Sequence, residues 1–455
     1  SGIARCQLLE MDDHVSLYVS PINLDPEQPA MPISHPSYYA GYLAKRHGLY
    51  ATLGLAEDTW ALNEGVTDDA TFLQQAHDID DERRTMCLTA LDQLRKGCYE
   101  PKARVDDMNV NGVAASLNFG SCVGFDGGRF HKAADKAKSL VHMRAYNDWH
   151  IDEWCGSQPG RFIPCALLPT WDMKATVEEI KRIAKKGCTA VSLNENPTIQ
   201  GLPSIHNEYW EPMYKTLVEN DIAICLHIGA GNPAPHASME TPIEAWISTM
   251  PISIVVGAAD WLNLEALERY PTMKIALSEG GIGWIPYFIE RADFSHERHK
   301  AWTHSRFKGT KPSEVFKRHF LTCFIDDEFG LKNLDSLNED LVAYECDYPH
   351  SDSLWPYVPE RLWDTVKNLS ETRINKITHG NAMKFFNFDP FKHHKRQDLT
   401  VGALRAKAIA DKVDITPRSY GGAKPLAEGE APRVITSGDL AKMFAHHSKG
   451  GSKAA

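Results

Sequence analysis

Acidic and imidazole side chains stand at the ends of several short apolar runs in this 455-residue chain. The set consists of Asp12, His14, His227, Glu279, Asp347 and His350. Carboxylates gathered in one place repel one another unless a cation lies between them. A mixed set of nitrogen and oxygen donors suits zinc, iron or manganese better than magnesium or calcium. These residues therefore predict a divalent metal site.

Two of the apolar runs, those that end near Asp12 and at His227, each allow an alternative interpretation without a metal. Residues two apart in a strand face the same side, so Asp12 and His14 share one pocket while Asp13 faces away. The alternative is a turn with a capping Asp and a surface His. His227 ends an apolar strand before a Gly-Ala-Gly loop that lacks the Lys and Ser/Thr of a phosphate loop. The alternative for His227 is a hydrogen-bonded core residue.

The last two runs leave the number of metal ions open. Glu279 is followed by glycines that leave room for a ligand, although it could also be a carboxylate at the start of a helix. Asp347 follows the final strand, and a Tyr-Pro turn directs His350 back toward it. Glu279 and His350 either help to hold a second metal, or serve as general base and substrate ligand beside one metal. Glu279, Asp347 and His350 are the catalytic candidates.

The elements that must position these residues are short strands that alternate with helices, a pattern typical of a parallel sheet. Eight units fit an α/β protein with a (β/α)8 barrel, whose sites lie at the carboxyl ends of its strands. Helical spacing from Met173 to Lys186 ends at Gly187 before the next strand. The predicted strands are Gln7–Met11, Gly112–Asn118, Phe162–Leu168, Ala190–Leu193, Ala223–Ile228, Lys274–Ser278, Leu321–Ile325 and Leu341–Cys346.

Two regions exceed a minimal barrel. Within a barrel domain spanning 1–389, residues from about 20 to 106 predict a long insertion after the first strand, near the barrel mouth. Residues 390–455 form a polar C-terminal extension, expected to be partly disordered or to wrap a neighbouring subunit. We expect this extension to serve assembly, in a homo- or hetero-oligomer, and not chemistry.

Composition narrows the class of protein. A net charge of -11 and a pI near 6.0 disfavour a nucleic-acid surface. An unbroken run of 18 or more apolar residues is absent from the sequence, so we expect no membrane span. The ten cysteines are scattered and no signal peptide is visible, which favours a reduced, cytoplasmic protein. A small-molecule substrate is the expected partner.

The motifs resemble the amidohydrolase superfamily, in the branch that contains aminocarboxymuconate-semialdehyde decarboxylase-like proteins. The segments that carry the resemblance are Asp12-Asp-His14, Ala145-Tyr-Asn-Asp-Trp149, Gly160-Arg-Phe, Trp210 with Pro212, His227-Ile-Gly, Glu279-Gly-Gly-Ile-Gly-Trp-Ile-Pro, Asp347-Tyr-Pro-His-Ser-Asp-Ser and Gly380-Asn-Ala-Met-Lys-Phe-Phe. The resemblance implies a distorted barrel with one or two divalent metals. It also implies that His227 and Asp347 are the ligands from the fifth and eighth strands.

The sequence departs from this family at three positions. Asp12 replaces the first His of the His-x-His pattern, and Glu279 stands where the decarboxylases have a His. The fourth strand, from Ala190 to Glu195, contains no Lys that could become a carboxylated bridge between metals. The resemblance thus implies hydrolysis or non-oxidative decarboxylation of a small carboxylate or amide, with Asp347 or Glu279 as the base.

Two other functions remain open at this point. The departures also resemble dinuclear iron- or manganese-containing members, such as the 2-aminoisobutyrate-hydroxylating monooxygenase, which would hydroxylate a small amino acid with O2. The long extension keeps a third hypothesis open, a structural metal-binding subunit of a hetero-oligomer. Metal identity would separate these hypotheses, because oxygen chemistry requires a redox-active metal.

Overall fold

The structure is a computed structural model that describes residues 95–120, 123–232, 234–350, 352–416 and 433–439. The described strands form a six-stranded parallel sheet in sequential order, β3-β4-β5-β6-β7-β8, and a parallel pair, β1-β2. In chain order they are β1 (Ser116–Leu117), β2 (Phe162–Ile163), β3 (Cys165–Leu167), β4 (Ala190–Leu193), β5 (Ala223–His227), β6 (Ile275–Ser278), β7 (Phe320–Phe324) and β8 (Val342–Tyr344).

The sheet is buried because helices follow most of its strands along the chain. The helices are α1 (Pro101–Val110), α2 (Gly128–Lys132), α3 (Lys136–Asp148), α4 (Met173–Lys185), α5 (Glu211–Glu219), α6 (Ile243–Thr249), α7 (Ile252–Leu262), α8 (Ala266–Arg269), α9 (Ile285–Thr303), α10 (Pro312–His319), α11 (Glu328–Lys332), α12 (Val358–Val366), α13 (Glu371–Asn375), α14 (Asn381–Phe385) and α15 (Val401–Ala410). Shorter 3-10 and π turns are Lys96–Cys98, Trp149–Cys155, Pro197–Gln200, Glu208–Trp210, Leu334–Ser336, Glu339–Leu341, Lys376–Gly380, Pro390–Lys392 and Arg396–Leu399. Every residue of β5 is buried, as a strand covered on both faces requires.

The predicted α/β class and parallel order are confirmed, and the closed ring of eight strands stays a prediction. β1 and β8 each pair on one side only among the described strands. A cavity of about 600 Å³ is lined by both strands and by His227, Glu279 and Asp347. The predicted first strand, Gln7–Met11, lies outside the described residues.

Several predicted strands are too long. The one predicted from Gly112 to Asn118 is reduced to β1, because the chain still turns at Gly112, with φ of +64°, as it leaves α1. The predicted third strand is divided at Pro164, which has no N–H to donate to a neighbouring strand. The predicted helix beginning at Met173 is confirmed, and Gly187 (φ +84°) follows its end.

The described part of the C-terminal extension packs on its own chain. α15 lies against α1, and Thr436 forms an antiparallel bridge with Pro242. The predicted end of the insertion, at about residue 106, falls inside α1. Whether the extension also joins subunits stays a prediction.

The sequence analysis predicts no membrane span, and the stretch Ile243–Leu262 is an exception to that prediction. By length and composition alone it could cross a membrane, with mean hydropathy 1.3 and 33% of the window buried. The core helix of a soluble protein passes the same test, so this is weak evidence. Ile254, Ala258 and Trp261 of α7 lie in the main hydrophobic core.

Candidate metal centre

Three predicted ligands meet at the carboxyl ends of the strands. One donor atom each from Glu279, Asp347 and His350 lies within 4.8 Å of the other two. Glu279 directly follows β6, and Asp347 and His350 follow β8. Parallel strands bring their carboxyl ends to the same edge of the sheet, which explains why residues distant in sequence converge here.

His227, the last residue of β5, joins this group. Its side chain is 2% exposed, and its Nε2 lies 3.2 Å from Oε2 of Glu279. Its Nδ1 lies 2.6 Å from the carbonyl oxygen of Ile228. A carbonyl only accepts, so Nδ1 carries a proton, and Nε2 is the ring nitrogen that faces the carboxylate. Two ligands of one ion at about 2.1 Å lie about 3 Å apart, so this spacing fits a shared metal.

The contact between Asp347 and His350 likewise places a carboxylate next to an imidazole. His350 Nδ1 lies 2.8 Å from Asp347 Oδ2 and accepts a 3.2 Å hydrogen bond from the backbone N–H of Asp352. Burial, and then the nearby His227, hold the pKa of His350 well below its usual value. A neutral imidazole is the form that binds metals, and an Nδ1 that accepts has no proton to offer the carboxylate.

The backbone at both acidic ligands is in an uncommon conformation. Glu279 has φ of +61° and Asp347 has φ of +48°, in the left-handed region that residues other than glycine rarely adopt. Such conformations cost of order 1–3 kcal/mol each and concentrate at functional sites. The backbone N–H of Glu279 donates to Oε1 of Glu345 at 2.9 Å, which ties the end of β6 to the end of β8.

Three residues near the site were missed by the sequence analysis. Glu345 stands two residues before Asp347, so strand alternation could have placed it on the same side. The rings of Phe119 and Phe125 pack on the imidazole of His227, with centroids 5.1 and 4.1 Å away. No local signal marks Phe125, which lies in a loop. These rings keep water from His227 and strengthen electrostatic interactions there.

Glu195 is a buried carboxylate outside this cluster. It follows β4, is 0% exposed, and its Oε1 accepts from the backbone N–H groups of Gly231 (3.0 Å) and Asn232 (2.6 Å). Burial raises its pKa to about 7. Glu195 thus anchors the loop that leads away from His227, and β4 supplies no lysine to the site.

The structure therefore brings together His227, Glu279, Asp347 and His350. Asp12 and His14 lie outside the described residues, so their part in the site stays a prediction. Two imidazoles and two carboxylates are a donor set that fits zinc, manganese or iron. The number of ions is not fixed by this geometry.

Comparison with known proteins agrees with this fold. A family model described as amidohydrolase matches residues 124–388. A 2-amino-3-carboxymuconate-6-semialdehyde decarboxylase from Dictyostelium discoideum is 23% identical over 305 residues, 66% of this chain and 80% of that protein.

Two solved structures are similar in fold. A 5-carboxyvanillate decarboxylase from Novosphingobium aromaticivorans, with bound manganese, has a TM-score of 0.53 and 18% identity, over 76% of this chain and 92% of its own. A dihydroxybenzoic acid decarboxylase from Polaromonas, also with manganese, has a TM-score of 0.50 and 20% identity, over 72% and 95%. The family match covers more than half of the chain, and the protein is therefore an enzyme of the amidohydrolase family.

Proposed function

We propose that the enzyme catalyses the metal-dependent, non-oxidative decarboxylation of a small carboxylate, most simply an aromatic one. The observation that carries this proposal is the convergence of His227, Glu279, Asp347 and His350 on one point at the ends of three strands. The relatives named above are decarboxylases, and two of them hold manganese. The two solved structures have a fold similar to that of this chain, so the same site is the natural place for the reaction.

The ligand set proposed for the first metal is His227, Asp347 and His350, with Asp12 and His14 completing it. A bound divalent ion would supply positive charge that holds a substrate carboxylate and stabilises the negative charge left when CO2 departs. Phe119 and Phe125 exclude water on the His227 side, which strengthens that stabilisation.

Glu279 is the proposed proton carrier. When the bond between the substrate carbon and its carboxylate breaks, CO2 leaves and the carbon keeps the electron pair. That carbon must then gain one proton, which the Glu279 carboxyl gives from Oε2 and later regains from water. The left-handed backbone at Glu279 and the hydrogen bond from its N–H to Glu345 hold this side chain at the site.

The test is an assay of CO2 release from 5-carboxyvanillate and dihydroxybenzoates, with protein purified metal-free and supplied with Mn²⁺. We expect CO2 without O2 consumption, and in D2O one deuterium at the carbon that carried the carboxylate. Glu279→Gln should retain Mn²⁺ but lose at least 100-fold in rate, the low end of what general acid–base groups contribute. Product formation that consumes O2 in equal amount would exclude decarboxylation.

A second candidate function is O2-dependent hydroxylation at a dinuclear iron or manganese site. The observation that favours it is the Glu279 carboxylate beside His227, at a position where the resemblance to decarboxylases predicts a His. With Glu279 and His350 as additional ligands, the six-residue set could hold two ions. Support from the relatives is lacking, because those named above are decarboxylases. Two metals per chain and O2 uptake with a small amino acid would favour this candidate.

A further inference from the structure

The loop after β8 carries two proposed ligands, Asp347 and His350, and a hydrogen bond to its backbone holds it in place. Arg104 of α1, only 1% exposed, donates from Nη2 to the carbonyl oxygen of Tyr348 at 3.0 Å. The Arg104 guanidinium also lies 4.6 Å above the Tyr348 ring. Tyr348 stands between Asp347 and His350, so Arg104 fixes the peptide that joins the two proposed ligands.

The side chain of Tyr348 is fixed as firmly as its backbone. Its hydroxyl donates to Oδ2 of Asp107, and that carboxylate accepts two hydrogen bonds from Arg95, at 2.6 and 3.2 Å. Trp355, at the far end of the loop, donates from Nε1 to the Asp107 carbonyl at 3.1 Å.

The C-terminal extension completes this network. Arg95 donates to the carbonyl oxygens of Asp414 (2.6 Å) and Thr416 (3.2 Å), which follow α15. Arg405 of α15 donates to the carbonyl oxygen of Pro356 at 3.3 Å and forms an ion pair with Glu360 at the start of α12. The extension thus contacts the loop at its far end and, through Arg95 and Asp107, at Tyr348.

We propose that Tyr348 is a positioning residue for the metal site, and that the C-terminal extension holds it in place through Arg95 and Arg405. This inference rests on the proposed function, because it assumes that Asp347 and His350 bind the metal. It differs from the expectation that the extension serves assembly and not chemistry, which stays a prediction. The matched family region ends at residue 388, so this device lies partly outside it.

The test is the Mn²⁺ dissociation constant of the full-length Tyr348→Phe variant, measured by calorimetry on metal-free protein that circular dichroism shows to be folded. The variant keeps the ring and the Arg104 contact and loses only the hydroxyl. We expect roughly tenfold weaker binding, the low end for groups that orient metal ligands. The matched control is Tyr270→Phe, which removes a 2.6 Å hydrogen bond to Glu211 far from the site and should leave the constant unchanged.

A second variant tests the extension itself. Arg405→Ala should weaken Mn²⁺ binding in the same direction, whereas Arg269→Ala, which breaks a comparable surface pair with Glu211, should not. Unchanged binding in Tyr348→Phe, or an equal loss in Tyr270→Phe, would overturn the positioning role. Unchanged binding in Arg405→Ala would overturn the role of the extension. Retention of Mn²⁺ by Asp347→Ala would instead overturn the proposed metal site, which separates the two failures.

Discussion

Glu195 offers a test of the fold around the site that does not depend on metal. Its pKa is raised by burial from 4.5 to about 7, so between these values the folded chain binds a proton that the unfolded chain has released. Raising the pH through this window therefore destabilises the folded state. Integration of the linkage relation gives a loss of about 2.5 kcal/mol between pH 5 and pH 8 from this one group.

The substitution Glu195→Gln removes this dependence and keeps an oxygen that accepts from Gly231 and Asn232. The free energy of unfolding of metal-free protein should be measured with guanidinium chloride at pH 5 and pH 8 for wild type and variant. The variant should gain about 2.5 kcal/mol relative to wild type on going to pH 8. The control is Glu211→Gln, because Arg269 lowers the pKa of Glu211 and keeps it ionised across the window. A constant difference between Glu195→Gln and wild type at the two pH values would refute the reasoning.

Three further predictions concern the site. His227→Ala should bind at most a trace of Mn²⁺, and elemental analysis showing full metal content would contradict its role as a ligand. If the site is dinuclear, metal counting should find two ions in the intact chain and one in Glu279→Ala. One ion in both proteins, with unchanged affinity, supports the single-metal site. Gly280→Ala should destabilise the fold by roughly 1–3 kcal/mol in thermal or chemical unfolding, because its Cβ would lie 2.5 Å from Cγ2 of Ile254. A smaller loss from Gly280→Ala when Ile254, which supplies the clashing Cγ2, is already replaced by Ala would support the packing argument, and no loss in the single variant would contradict it.

The sequence predicted the parts of this protein that depend on local periodicity. Apolar runs such as Ala223–His227 identify buried strands, and the polar residue that ends each run identifies the edge of the sheet. For that reason the amino-acid pattern alone assigns His227, Glu279 and Asp347 to one site. The ends of the strands were predicted less accurately, because Pro164 and the turn at Gly112 interrupt strand pairing without interrupting the apolar pattern.

The rest of the site depends on contacts that have no local signature. Tyr348 and Asp107 are 241 positions apart, and neither residue type marks itself as a partner of the other. A polar extension is equally compatible with a solvated tail and with a clamp, and tertiary contacts such as those of Arg95 and Arg405 separate these two interpretations. Strand periodicity places ligands at one edge of the sheet to within a residue. Binding a metal requires donors set to within a few tenths of an ångström, and that accuracy comes from tertiary contacts such as those around Tyr348.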